Sequence, residues 1–177
     1  MASSAQTPME WPLPRRLARH LSTDAGKVRR IFDAEALQRI ERAILLGERS
    51  HRGQVRFAVE PALPLPRVVK RLSPRERALE VFALSRIWDT EDNCGVLVYL
   101  LLADRNVEIV ADRGIHRRVG DAAWEAICKE MEGAFRAGRF VDGVERGIGA
   151  IDALLAQHFP RTDGASSNEL PDQPIVL

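Results

Sequence analysis

Three aspartates carry the chemistry that the sequence suggests most directly. Asp92 comes just before the apolar run VLVYLLL (96–102). Asp112 comes just after the shorter run VEIVA (107–111), and Asp121 follows a few residues later. Antiparallel pairing of the two runs would place Asp92 and Asp112 at one edge of a sheet, with Asp121 within reach. Carboxylates brought that close repel one another unless a proton or a cation neutralises them. Because Ca²⁺ and Mg²⁺ take oxygen ligands, the pattern predicts a divalent-cation site, which can also activate water.

The same acids also have ordinary structural uses. Asp92 and Asn93 can form a turn through hydrogen bonds from side chain to backbone. Asp121 can cap a helix. An arginine such as Arg113 can neutralise nearby carboxylates without a metal. The residues alone leave the cation site and the structural use both open.

Other residues are candidates for the rim or pocket of this site. Glu60 ends an earlier strand and reaches the same edge if that strand neighbours 96–102; otherwise it forms a surface ion pair of little energetic worth. Trp88 either closes the core as a lid or lines a pocket beside the acidic loop. The full set of candidate rim residues is Glu60, Trp88, Glu91, Asn93 and Arg113.

The sequence supplies no recognisable catalytic motif. It has no GxxxxGK[ST] phosphate loop, GxGxxG, HExxH or GxSxG. The four histidines are far apart and lack metal-ligand spacing. Cys94 has no visible base to make it a thiolate, and Cys128 falls among the core positions of a helix. No catalytic residue is assigned.

Composition bounds the class of protein. The 177 residues, 45% hydrophobic with a net charge of +1, are enough for one core and give no reason to expect a nucleic-acid partner. The two cysteines cannot build a disulfide framework, which fits a reducing compartment. No apolar run has the length of a transmembrane helix or signal peptide. We expect a cytoplasmic protein, with peripheral attachment to a membrane as the alternative.

Periodicity and capping signals predict the order α-β-α-β-β-α-α. Helices are expected at 33–50, 73–87, 121–137 and 140–158. The segment QVRFAVE (54–60) alternates apolar and polar residues and predicts a half-buried strand. The two apolar runs predict a hairpin, because only a short turn joins them. This order favours a three-layer α/β/α sandwich whose small mixed sheet contains a β-hairpin.

The two ends of the chain differ from this middle part. Residues 1–10 are small and polar and are expected to be disordered. Residues 11–32 are basic and include leucines spaced four apart, which predicts a short amphipathic helix that either docks on the domain or lies on anionic lipid. The tail after Pro160 is polar and rich in glycine and proline, which predicts disorder. We therefore divide the chain into a basic segment 1–32, a domain 33–159 and a disordered tail 160–177.

Several short motifs together resemble the TPM-domain family, in particular its short soluble bacterial branch. They begin with Trp88 and DNxGVL at 92–97, followed by DRxVxI at 104–109. Asp121 and the segment FRxGxF at 135–140 complete the pattern. RFAVEPALP and RERALEVF, earlier in the chain, resemble the short branch. The similarity covers roughly residues 33–158 and implies a three-layer α/β/α fold.

The resemblance also implies a range of functions. Family members are linked to the maintenance of membrane protein complexes, the family carries a phosphatase label, and some members are associated with divalent cations, notably Ca²⁺. The aspartate of the family's DNGVL motif matches Asp92, and the aspartate after its glycine-containing loop matches Asp121. Two functions are therefore expected. One is a binding or accessory module, with or without a divalent cation, that works with membrane-associated protein partners. The other is a metal-assisted phosphatase-type hydrolase that uses the acidic cluster.

Overall fold

The computed structural model describes residues 11–161 and 169–177, in which a mixed four-stranded sheet lies between two layers of helices. The strands are β1 (Gln54–Glu60), β2 (Gly95–Leu101), β3 (Asn106–Ala111) and β4 (Ile175–Val176). The helices are α1 (Leu13–Leu21), α2 (Ala25–Ile31), α3 (Ala34–Gly47), α4 (Leu65–Val69), α5 (Pro74–Leu84), α6 (Arg113–Val119), α7 (Asp121–Arg136) and α8 (Phe140–His158). The predicted three-layer α/β/α sandwich is confirmed.

The sheet has the order β3-β2-β1-β4. β2 and β3 pair antiparallel, as the short turn between them predicts, and β1 pairs parallel with both of its neighbours. Successive side chains of β2 point to opposite faces of the sheet, so alternate residues pack in two different cores. Val98 packs in the larger core, which includes residues of α3, α7 and α8, and Tyr99 packs in the smaller core, which includes residues of α5.

The expectation that β1 is half-buried is wrong, because all seven of its residues are buried. β1 lies between β2 and β4 and has helices on both faces, so its polar side chains have no route to solvent. Gln54, Arg56 and Glu60 are 3%, 8% and 6% exposed. Buried polar groups require hydrogen-bond partners, and Gln54 and Glu60 bond to residues from distant parts of the chain. Arg56 Nη1 is buried without a hydrogen-bond partner among the described residues.

Local signals set most helix boundaries. The Asp33 carboxylate accepts a hydrogen bond from the Ala36 N–H and begins α3, and Ser73 forms the predicted capping box with Glu76 at the start of α5. Gly138 follows α7 with a φ of 76°, a left-handed conformation that glycine adopts without strain. Two helices end three residues earlier than expected, α3 at Gly47 and α5 at Leu84.

The basic N-terminal segment docks on the domain through α1. His20 Nε2 and Arg16 Nε each lie 3.1 Å from the Asp104 carboxylate in the β2–β3 turn. Leu13 and Leu17 pack against the smaller core, whereas Leu21 is 68% exposed. The docking alternative is therefore confirmed for α1. The predicted disorder of residues 1–10 lies outside the described residues.

The expectation of a disordered tail is wrong for residues 169–177. Ile175 and Val176 form β4, which pairs with Ala58 and Val59 of β1 and covers the outer edge of the sheet. Leu170 packs against the smaller core. The local sequence lacks a strand pattern, and the neighbouring strand supplies the order instead. Residues 162–168 lie outside the described part of the chain.

Within residues 11–161 and 169–177, no helix combines the length and the apolar character that crossing a membrane requires.

Candidate functional site

The predicted hairpin brings the segments 92–95 and 112–114 into direct contact. The Asp112 N–H donates to the Gly95 carbonyl and the Gly114 N–H donates to the Asn93 carbonyl, each at 2.9 Å. A β-carbon on Gly114 would lie 2.5 Å from the carbonyl oxygens of both Asp92 and Asn93, so only glycine permits this approach. The expectation that residues 92 and 112 share one edge of the sheet is confirmed at the backbone.

Asp92 forms an ion pair at this edge. Its Oδ2 lies 2.7 Å from Nη1 of Arg52, which precedes β1. Both side chains are about one-third exposed, at 31% and 38%. An exposed pair of this kind contributes on the order of 0–1 kcal/mol. The negative charge of Asp92 is therefore already matched by a neighbouring arginine.

Asp112 begins α6, a helix that the sequence did not predict. Its Oδ1 accepts a hydrogen bond from the Arg113 N–H at 2.6 Å. The residue is 7% exposed, and its Oδ2 is buried without a hydrogen-bond partner among the described residues. Arg113 itself is exposed. Asp112 Oδ1 thus accepts a backbone hydrogen bond, whereas the buried Oδ2 has no donor among the described residues.

Asp121 is the first residue of α7 and not its cap, which corrects the predicted capping role. The N-cap is Gly120, with a φ of 78°, because α6 occupies the space before α7 and the chain must reverse sharply between the two helices. Asp121 Oδ1 lies 3.8 Å from His116 Nε2. The acid therefore faces the end of α6.

The three aspartates do not form the shared carboxylate group expected from the sequence. Across the described ranges, no three His, Cys, Asp or Glu side chains lie where they could hold a metal ion together. A site with three carboxylate ligands does not fit these side-chain positions. Cation binding in another form stays a prediction.

Glu60 lies at the opposite end of the sheet, so its predicted place at the same rim is wrong. The parallel register puts Gln54 beside Gly95 and Glu60 beside Leu101, which separates Glu60 from the start of β2 by the length of the strand. Glu60 accepts hydrogen bonds from the Tyr99 hydroxyl at 2.6 Å and from Arg77 Nε at 2.8 Å. It is a buried partner in a network and not a surface ion pair.

Trp88 lies on the surface of the loop before β2. Its side chain is 48% exposed, so the interpretation of Trp88 as a lid on the core is wrong. Leu84, at the end of α5, is 78% exposed, and the Arg86 guanidinium lies 5.9 Å from the Trp88 ring. The Glu91 N–H donates to a carboxylate oxygen of Glu169 at 3.0 Å. This loop therefore presents apolar and charged groups together.

Sequence reasoning missed the buried polar groups elsewhere in the fold. His51 places Nδ1 3.1 Å from the Gly53 carbonyl and Nε2 3.1 Å from Asp152 Oδ1, and so links the start of β1 to α8. Burial raises the pKa of Glu108 in β3 to about 7. The one available signal was a charged residue inside an apolar strand, as Glu108 is in VEIVA.

Cys94 offers little as a nucleophile. It is buried, and burial together with the charge of Asp92 raises the pKa of its thiol to about 12. Its N–H donates to the Thr90 hydroxyl at 3.1 Å and its Sγ lies 3.6 Å from the Arg52 carbonyl. Because the thiolate is the reactive form, a thiol that keeps its proton at neutral pH is suited to packing and not to attack.

The family model for the TPM domain matches residues 28–154. The chain belongs to the TPM-domain family. The match includes the segments 92–95 and 112–114 and begins within α2, so α1 and β4 lie outside it. The solved structure of the BA42 protein, determined by NMR from the psychrophilic bacterium Bizionia argentinensis, is similar to this TPM-domain chain. The two are 27% identical with a TM-score of 0.72, over 81% of this chain and 94% of that one. No curated protein matches the chain.

Proposed function

We propose that this TPM-domain chain is a binding or accessory module that acts with protein partners in membrane-associated complexes. The observation that carries the proposal is the exposed apolar pair Leu84 and Trp88, which are 78% and 48% exposed at the end of α5 and in the following loop. We call residues 84–94 the loop surface. Tryptophan is enriched among the residues that contribute most to binding at the centres of protein interfaces.

The charged groups around Trp88 suit a protein partner. Arg86 Nη2 pairs with Asp89 Oδ2 at 2.7 Å, and both side chains are more than half exposed. Arginine and tryptophan are enriched where interfaces bind most strongly, and exposed charges guide the orientation of a partner. The resemblance to family members linked with membrane protein complexes supports partners of that kind.

The chemistry-bearing groups support binding over hydrolysis. Asp92 is paired with Arg52, Asp112 serves as a helix cap, and burial raises the pKa of the Cys94 thiol to about 12. A metal-assisted phosphatase needs acids arranged around a cation and a water. Turnover of p-nitrophenyl phosphate that disappears in Asp92→Asn would contradict the proposal and favour the hydrolase.

Replacing Trp88 with alanine is expected to abolish partner binding while leaving the fold intact. About half of the residue is buried, so its loss should lower the free energy of unfolding by on the order of 1–3 kcal/mol, which leaves the domain folded. At an interface centre the same change costs on the order of 2 kcal/mol or more, roughly a thirty-fold loss of affinity. The measurement is quantitative capture from detergent-solubilised membranes of the source organism, with a melting curve for each variant.

Val69→Ala is the matched control, since Val69 is 55% exposed in α4. Proteins enriched by the wild type should persist with Val69→Ala and be lost with Trp88→Ala. Equal capture by all three chains would contradict the assignment of binding to the loop surface.

We also propose that a divalent cation, Ca²⁺ or a similar ion, stabilises the same edge of the sheet through Asp112. The specific observation is the buried Asp112 Oδ2, which lacks a donor among the described residues. Ca²⁺ accepts single carboxylates together with backbone carbonyls and waters. Millimolar Ca²⁺ is expected to raise the melting temperature by several degrees, roughly 2–4 °C for each kcal/mol of binding free energy.

Asp112→Asn should remove this shift, because the amide oxygen can still accept from the Arg113 N–H while the charge is lost. Asp121→Asn should keep it. A wild-type melting temperature that is insensitive to Ca²⁺, Mg²⁺ and Mn²⁺ would remove the cation from the proposal and leave the loop surface untouched.

A further inference from the structure

We infer that the outer edge of β1 is a binding site for an extended segment of a partner protein, which the chain covers with its own residues 169–177. We call this the β1 edge site and define it by Gln54, Arg56, Ala58 and Val59. It adjoins the loop surface, since the Glu91 N–H donates to Glu169 of the covering segment at 3.0 Å, but it does not depend on the function proposed above. The partner segment has an acidic residue followed, three positions later, by a branched aliphatic residue.

Gln54 recognises the backbone of the covering segment. Its side chain is buried, and its Oε1 accepts hydrogen bonds from the N–H groups of Glu169 and Leu170, each at 3.0 Å. A side chain that binds two successive main-chain donors recognises an extended peptide whatever its side chains are. This is the chemistry of strand addition, in which main-chain hydrogen bonds supply affinity.

Strand pairing continues this recognition along β1. Ala58 pairs with Ile175 and Val59 pairs with Val176, and the Leu177 N–H donates to the Val59 carbonyl at 3.0 Å. Only two residues of the segment form a strand. Pro171 and Pro174, just before them, have no N–H to give to a ladder. Because only two residues of the covering segment pair with β1, a partner segment that pairs over more residues can displace it.

Side chains of the segment supply selectivity. Leu170 and Ile175 pack against the smaller core, and Val176 is 48% exposed. Between the two packed residues, Asp172 interacts electrostatically with Arg56, whose Nη1 is buried without a hydrogen-bond partner among the described residues. Burial lowers the pKa of the Arg56 guanidinium, and the charge of Asp172 opposes that effect. The site therefore fits an acid that precedes an aliphatic residue, in the spacing of Asp172 and Ile175.

The covering segment is separate from the domain that forms the site. The TPM-domain match ends at residue 154, so it contains all of β1 but not β4. An uncovered edge strand is open to pairing with another chain. A segment attached to the same chain has an effective concentration in the millimolar range. It therefore prevents weakly binding peptides from pairing with β1, and only a peptide of higher affinity can displace it.

The experiment measures binding of a fluorescently labelled peptide, ELPDQPIVL (the sequence of residues 169–177), to the full chain. Fluorescence anisotropy gives the affinity for each variant. Ile175→Asp should unseat the attached segment, because it places a charge against the smaller core. This variant is expected to bind the peptide at least ten-fold more tightly than the wild type. Val176→Asp, which changes the exposed neighbour, should bind like the wild type. A peptide with alanine in place of the acid that faces Arg56 should bind the Ile175→Asp chain more weakly.

Leu177→Pro is the second variant, since it removes the N–H given to Val59 without altering the core. It should also increase peptide binding. Folded Ile175→Asp and Leu177→Pro chains that bind the peptide no better than the wild type would overturn the inference. A wild-type chain that light scattering shows to be a dimer, and that Ile175→Asp makes monomeric, would also overturn it, because the occupant would then be a second copy.

Discussion

Arg77→Met is expected to lower the free energy of unfolding by about 3–5 kcal/mol, the largest loss from a single change that we predict. Arg77 holds Glu60 with two hydrogen bonds, 2.8 Å from Nε to Oε2 and 3.3 Å from Nη2 to Oε1. Glu60 is only 6% exposed at the end of β1. Methionine keeps much of the packing of the arginine stem but leaves the carboxylate buried with the Tyr99 hydroxyl as its remaining partner.

The loss of stability in Arg77→Met should come from leaving the Glu60 charge buried without its cation, and not from lost packing. Adding Glu60→Gln to Arg77→Met removes the unpaired charge, so the double variant should be more stable than Arg77→Met alone. Arg67→Met is the control for losing a cation on the same surface. Arg67 pairs with Glu80, both side chains are more than one-third exposed, and the change should cost about 1 kcal/mol or less. Chemical denaturation of the four chains measures all of these values. Equal losses for Arg67→Met and Arg77→Met would contradict charge burial as the cause.

The fold was predictable where local pattern and environment agree. Ser73 and Asp33 begin helices through hydrogen bonds within four residues, and the short turn after β2 forces antiparallel pairing. Such signals involve residues close in sequence. The alternation of polar and apolar residues in QVRFAVE wrongly predicted a half-buried strand. Alternation shows which residues are polar, but it does not show whether helices cover both faces of the sheet.

The candidate site was predictable only at the level of the backbone. The hairpin places segments 92–95 and 112–114 together, as expected from the sequence. The direction of each carboxylate depends on groups distant in sequence, such as Arg52 for Asp92, and on α6, which positions Asp121. β4 escaped prediction for the same reason. Its order comes from Gln54 and β1, more than a hundred residues earlier.

Stability is expected to fall as the pH rises from about 5 to 8.5, and Glu48 is the main reason. Glu48 is 9% exposed, and its Oε1 accepts the Val55 N–H at 3.0 Å. Burial raises its pKa to about 8, and the charges of Asp172 and Asp152 act in the same direction while the Val55 hydrogen bond opposes them. An unfolded glutamate has a pKa near 4.3. Between these two values the native state holds a proton that the unfolded state has released, so each rise in pH favours unfolding.

Glu108, whose pKa burial raises to about 7, adds an effect of the same sign over a narrower range. The acid whose pKa is lowered inside the fold, Asp104, contributes stability that is lost only as the pH falls through its folded pKa, below this window.

Glu48→Gln keeps an oxygen for the Val55 N–H and has no proton to release. It should match the wild type near pH 5 and exceed it at pH 8.5 by on the order of a few kcal/mol. Glu145→Gln, which changes a surface partner of Arg39, should leave the slope unchanged. Urea denaturation at intervals of half a pH unit measures the slope. A wild-type stability that is level or rises across the window, together with a Glu48→Gln curve of the same slope, would contradict a protonated Glu48 in the folded protein.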